Sequence, residues 1–176
     1  MNYQTAKPAA TEKVAPDFLL RPIQVTDNPQ VARIIRTVMT EFGCVGEGYS
    51  ILDAEVDDMH GAYAVHGSAF FVVEKTDGEV LGCGGIGPLS GSGEGTCELK
   101  KMYFLPELRG LGFGKKMVTT CLKKAQELGY HQCYLETVDR MVQANLLYQK
   151  MGFDKICSPM GATGHCSCDA WYVKAL

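Results

Sequence analysis

Gly110, Gly112 and Gly114 crowd three glycines into five residues of Leu105-Pro-Glu-Leu-Arg-Gly-Leu-Gly-Phe-Gly-Lys-Lys116, and this stretch constrains the chain more than any other. Before it, Glu98-Leu-Lys-Lys-Met-Tyr-Phe104 reads as a strand. After it, Met117, Val118, Cys121, Leu122, Ala125 and Leu128 recur at helical spacing, and Gly129 sits where a left-handed cap ends a helix. The glycines therefore occupy a tight turn between a strand and a helix. With no side chains to cover them, the backbone N–H groups at the helix start form a site for phosphate oxygens, helped by the positive end of the helix dipole. Arg109, Lys115 and Lys116 add cationic charge beside it.

Two common phosphate loops fail on spacing. A Walker loop needs a glycine where Arg109 stands and Ser or Thr where Lys116 stands. The dinucleotide fingerprint meets Lys115 or Met117 where its third glycine belongs. A nucleotide-binding module is disfavoured on both counts.

A chain of 176 residues suits one domain with a sizeable core. The net charge of −3 gives no electrostatic reason to expect nucleic acid or an anionic membrane as partner. No apolar run approaches the roughly 20 residues of a membrane span, and the N-terminus carries no signal-peptide core. Cys83, Cys97, Cys121 and Cys133, half of the eight cysteines, lie inside apolar patterns where cysteine acts as a small hydrophobe. These signs predict a reducing, cytoplasmic setting. His165-Cys-Ser-Cys168-Asp169 has ligand chemistry, but it lacks a second half at zinc spacing, so no metal is expected.

Residues 1–15 read as a flexible polar tail and 16–176 as a single domain. Strands are expected over 18–25, 69–74, 80–86, 97–104, 133–137, 153–157 and 170–173. Asn28-Pro29 opens a first helix with Asn28 as cap, a short acidic helix spans about 52–59, and Ala144, Leu147, Tyr148 and Met151 mark a late helix. Hairpins come first and helix–strand alternation later. The fold class is therefore α/β (α+β): a mixed, mostly antiparallel central sheet of about seven strands, with helices on both faces.

Arg-x-x-Gly-x-Gly, filled by Arg109, Gly112 and Gly114, resembles the acyl-coenzyme A loop of the GNAT superfamily of N-acetyltransferases. The similarity runs from about Phe18 to the C-terminus. It is densest over 99–114 and in Ala144-Asn-Leu-Leu-Tyr148-x-x-x-Gly152-Phe153. The resemblance implies a GNAT-like fold and acetyl-CoA as co-substrate. Main-chain groups of Met102, Tyr103 and Phe104 would meet the pantetheine arm, and the turn Arg109, Gly110, Leu111, Gly112, Phe113, Gly114 and Lys115 would hold the pyrophosphate. It also implies that Tyr148 faces the sulfur as general acid. Asn stands at position 141 in many relatives and contacts the cofactor; here the residue is Met141.

An amine with pKa near 10.4 is mostly protonated at pH 7, and its neutral form costs about 4–5 kcal/mol. A carboxylate or water relay must take the proton. Glu98 and Glu136 both match base positions of relatives, and water or the substrate itself stays open as a third answer. Direct attack in a ternary complex then moves acetyl to a primary amine, on a small molecule or a peptide. A non-catalytic acyl-CoA binding or sensing domain is the alternative. Oligomeric state is left open, a homodimer included. The segments 43–59 and 158–169 are expected to set the acceptor, and Glu47, Asp53, Asp57 and Asp58 within the first would suit a cationic amine or simply form a solvated face.

Overall fold

The computed structural model describes residues 18–176; the tail expected over 1–15 lies outside the described residues. Seven strands form one sheet in the order β1-β2-β3-β4-β5-β7-β6. They are β1 (Phe18–Pro22), β2 (Ala69–Lys75), β3 (Val80–Pro88), β4 (Thr96–Phe104), β5 (Gln132–Thr137), β6 (Asp154–Ile156) and β7 (Ala170–Ala175). All neighbours are antiparallel except β4 and β5. A parallel pair needs a long crossover, and helix α3 (Phe113–Glu127) supplies it. The expected mixed, mostly antiparallel sheet is what the chain builds.

Helices α1 (Asn28–Glu41) and α2 (Met59–Tyr63) cover one face, and α3 and α4 (Val142–Lys150) the other. Val31, Ile34, Ile35 and Val38 of α1 pack with Met59, Val72 and Val80 in the first core. Met117, Val118, Cys121 and Leu122 of α3 pack with Val73, Leu81, Leu135 and Tyr172 in the second. Fully burying one such aliphatic side chain contributes about 1.5–3 kcal/mol. Cys83, Cys97, Cys121 and Cys133 are all buried, as their apolar neighbourhoods predict.

Three local expectations need correction. The first strand stops at Pro22 rather than continuing to Val25, because Arg21 grips Asp27 and turns the chain into a 3-10 turn over Val25–Asp27. Asp27, not Asn28, caps α1, and the Asn28 side chain instead reaches Asp58 and the His60 amide. The acidic helix over 52–59 is two 3-10 turns, Ser50–Leu52 and Ala54–Asp57, followed by α2. Asp53 breaks it: its backbone is extended (φ −60°, ψ 133°) while its carboxylate binds Lys101 and His165.

Two features of β4 position the site. It pairs with β5 over only three positions, Thr96 with Gln132, Cys97 with Cys133 and Glu98 with Tyr134, and the strands then part. Its register against β3 also slips between Cys83 and Gly85, so Lys101 and Met102 together oppose Gly84. Lys101 sits in this bulge at φ 58°, the one non-glycine residue with positive φ among those described. Gly84 makes room for the bulge, since a Cβ there would collide with the Met102 sulfur.

Candidate active site

The parted strands leave a cleft of about 380 Å³, walled by Met102, Tyr103 and Phe104 on one side and Ala144, Leu147 and Tyr148 of α4 on the other. Its mouth is the glycine turn. Gly110 and Gly112 have φ of 77° and 82°, and nothing lies within 4 Å of where their side chains would be. Gly112 caps α3 in the left-handed conformation with no side-chain cap, so the first N–H groups of the helix open to solvent. Gly114 faces into the cleft, its missing Cβ 3.0 Å from Leu147 Cδ2. Gly110 and Gly114 line the cleft; Leu111 and Gly112 are exposed on its rim, and Phe113 turns inward to the core.

The cations of this turn are not equivalent. Arg109 makes a bidentate pair with Glu41 of α1 at 2.6 Å for both arms, and its Nε donates to the Phe104 carbonyl at 2.9 Å. The Glu41 hydrogen bond holds the Arg109 guanidinium above its ordinary range. Arg109 lines the cleft and at the same time pins α1 and the end of β4 to the turn. Lys116 lies over the Phe113 ring at 4.7 Å. Lys115 is exposed and has no ion-pair partner among the described residues.

The inner end of the cleft continues into a narrow chamber that shares Met102, Tyr103, Met141, Ala144 and Tyr148 with it. Glu98, Glu136 and His165 line the chamber's far wall. Beyond them a third, outer cleft of about 390 Å³ opens between Asp53, Glu55, Ser90, Lys100 and Thr163. Glu98, Lys100 and His165 line both chamber and outer cleft. One passage thus crosses the sheet where β4 and β5 part, with the carboxylates and Tyr148 at its waist.

Both predicted bases reach this waist. Glu98 pairs in register with Tyr134, two residues before Glu136, so both carboxylates leave the same face of the sheet. Glu98 is 4% exposed, and burial pushes its carboxyl up to about 7, into the range where a base works at neutral pH. Glu136 is held differently: Oε1 accepts from Tyr134 Oη at 2.8 Å and Thr163 Oγ1 at 2.9 Å, while its buried Oε2 has no hydrogen-bond partner among the described residues.

Tyr148 stands opposite, buried against Phe153 and Tyr172. Burial raises its phenol, which keeps the proton on the oxygen. Its hydroxyl makes no hydrogen bond to a described residue, so its packing and any proton donation are separable. Met141 borders both clefts, and Asn145 is committed elsewhere, to Val138, Met141 and Tyr172. Burial also lifts the Cys121 thiol, which suits core packing rather than attack.

Sequence reasoning missed Lys101 and the pairings through which Asp53 and His165 join the loops to the waist. Lys101 is buried and binds Asp53, with Glu55 Oε1 at 3.3 Å. His165 Nε2 lies 3.2 Å from Asp53 Oδ2, and its Nδ1 lies 3.7 Å from Glu136 Oε2. Of the acidic run, only Asp53 belongs here; Asp57 pairs with Arg36 at the surface and Asp58 caps α2. A lysine inside a buried strand pattern was the available signal.

A model of the acetyltransferase (GNAT) family matches residues 33–153. The chain belongs to this family. It is an N-acetyltransferase. It is 42% identical over 159 residues to the uncharacterized N-acetyltransferase YjgM of Escherichia coli, covering 90% of this chain and 95% of that one. An acetyltransferase structure of the GNAT family from Staphylococcus aureus superposes with a TM-score of 0.79 at 19% identity, over 90% and 99% of the two chains. A phosphinothricin acetyltransferase from Sinorhizobium meliloti, solved in complex with AcCoA, superposes at 0.73 with 21% identity, over 90% and 88%. Among the described residues of this N-acetyltransferase, no helix is long and apolar enough to cross a membrane.

Proposed function

We propose that this N-acetyltransferase takes acetyl-CoA into the cleft at the glycine turn and moves its acetyl group to a primary amine that enters through the outer cleft. The observation that carries this reading is the passage itself, whose two mouths meet between Glu98 and Glu136 on one side and Tyr148 on the other. The uncovered N–H groups at the start of α3 and the Lys115 ammonium would hold the pyrophosphate. The main chain of Met102 and Tyr103 would take the pantetheine arm. Bound there, acetyl-CoA supplies an activated acyl group.

Glu98 has the burial and the raised carboxyl expected of the group that deprotonates the amine, and Glu136 beside it would hold the incoming ammonium. Tyr148 would give its proton to the departing sulfur. Filled by its substrates, the narrow chamber would exclude bulk water, which would strengthen each of these interactions.

The test mixes the protein and acetyl-CoA with a panel of alkyl amines, polyamines, amino acids and peptides and follows thiol release. Turnover with at least one amine is expected, and Gly114→Asp should abolish calorimetric acetyl-CoA binding in a folded protein. Binding without any turnover would favour a sensing domain; unchanged affinity in Gly114→Asp would remove the cleft assignment.

A further inference from the structure

His165 is the one imidazole at the waist, and it lies between two carboxylates from different parts of the chain. Its Nε2 contacts Asp53 at 3.2–3.3 Å, and its Nδ1 faces the partnerless Oε2 of Glu136 at 3.7 Å. Glu136 Oε2 is buried, whereas the Asp53 side chain is 28% exposed toward the outer cleft. A buried acceptor, a titratable ring and a solvent-touching acceptor therefore stand in sequence. Building on the base reading above, we propose that His165 carries the amine's proton out of the waist, receiving it from the Glu98/Glu136 pair and releasing it through Asp53 to water.

In its neutral form, protonated on Nε2, the ring donates to Asp53 and leaves Nδ1 unprotonated toward Glu136. Once Glu98 has taken the amine's proton and handed it to Glu136, its neighbour on the same face of the sheet, Nδ1 accepts it from Glu136 and the ring becomes an imidazolium between both carboxylates. Nε2 then gives up its proton to Asp53 and the solvent, and exchange with water in the outer cleft restores the starting tautomer. One proton moves outward and no electrons change hands.

The groups facing the ring are four acids and two lysines. Asp53 and Glu55 come from the 3-10 turns, Glu98, Lys100 and Lys101 from β4, and Glu136 from β5. Cys168 of the ring's own loop stays neutral, its thiol pushed up to about 12 by burial. The Asp53 hydrogen bond raises the His165 imidazole above its ordinary 6.5, toward the pH at which it can take up and lose a proton during turnover. Against the upward push of burial, the His165 bond and the Lys101 charge hold the Asp53 carboxyl low, so it passes a proton on rather than keeping it.

His165→Gln, which keeps an amide of similar reach but does not titrate, is the test. With the best amine of the panel, kcat should fall roughly 10²-fold, the loss expected of a proton-transfer group. KM should move little, and the pH profile of kcat should lose the His165 ionisation while keeping that of Glu98. Added imidazole should restore part of the rate of His165→Ala. A folded His165→Gln protein with unchanged kcat and profile, or with a change in KM alone, overturns the relay. Loss of activity in Glu98→Gln and Glu136→Gln beside a normal His165→Gln leaves the base reading standing and sinks only the relay. A readout independent of turnover is the NMR titration of the His165 ring: it should fall to lower pH in both Asp53→Asn and Glu136→Gln, and indifference to Glu136→Gln overturns the proposal.

Discussion

Glu98 and Tyr148 show how burial alone can set opposite roles. A carboxyl held at about 7 rather than its ordinary 4.5 disfavours its charged form in the fold, so stability present below about pH 4.5 is lost as pH rises through about 7. At about 1.36 kcal/mol per pH unit the loss approaches roughly 3 kcal/mol. Glu98→Gln should therefore melt higher than the parent at pH 8, with the gap closing toward pH 5, while losing turnover. A melting gap that ignores pH would show that Glu98 is not strained by burial. Tyr148 pays no such penalty, because its neutral form is the one the fold prefers. Tyr148→Phe should keep its contacts with Phe153 and Tyr172 and its melting temperature, yet drop kcat by roughly 10²–10³. Early melting with normal turnover would make Tyr148 a core residue only.

At the scale of elements, the Ser50–Asp57 turns depend on one buried ammonium. Removing a partner from a buried ion pair costs up to about 3–5 kcal/mol, and less where the other partner touches water, as Asp53 does. Lys101→Met should thus lower the melting temperature and speed amide exchange over Ser50–Asp57 while leaving β2 protected; uniform exchange in both would assign Lys101 to general stability. This dependence was invisible in the sequence, where Asp53 reads as one acid in a polar run and Lys101 as one more strand residue. Only the long-range pairing of positions 48 residues apart gives them meaning. The glycine turn and the α4 stripe were legible because their chemistry is local: Gly112 must adopt a left-handed backbone, and Tyr148 recurs with Leu147 and Met151 at helical spacing. The Arg109–Glu41 pair was hidden for the converse reason, since Glu41 lies 68 residues away in α1.

For the whole molecule, the mixed, mostly antiparallel sheet with helices on both faces followed from hairpin and helix signals along the chain, whereas the outer cleft depends on two loops whose shapes no periodicity encodes. The short β4–β5 ladder bears on how the molecule carries load. Only Thr96, Cys97 and Glu98 lace a four-strand half to a three-strand half, so the fabric has a slit, and the reaction is placed in it. A co-substrate lying along that slit acts as the missing thread. Ligand at 100 times its Kd should stabilise the fold by about 2.7 kcal/mol, and the tightening should be local. With saturating coenzyme A, amides of Leu99–Phe104 and Gln132–Thr137 should exchange more slowly, while those of β1 and β6, at the outer hems, stay unchanged. A raised melting temperature with no slowing along the slit would place the ligand elsewhere. The catalyst is therefore at its weakest seam when empty, and each substrate it accepts sews that seam shut.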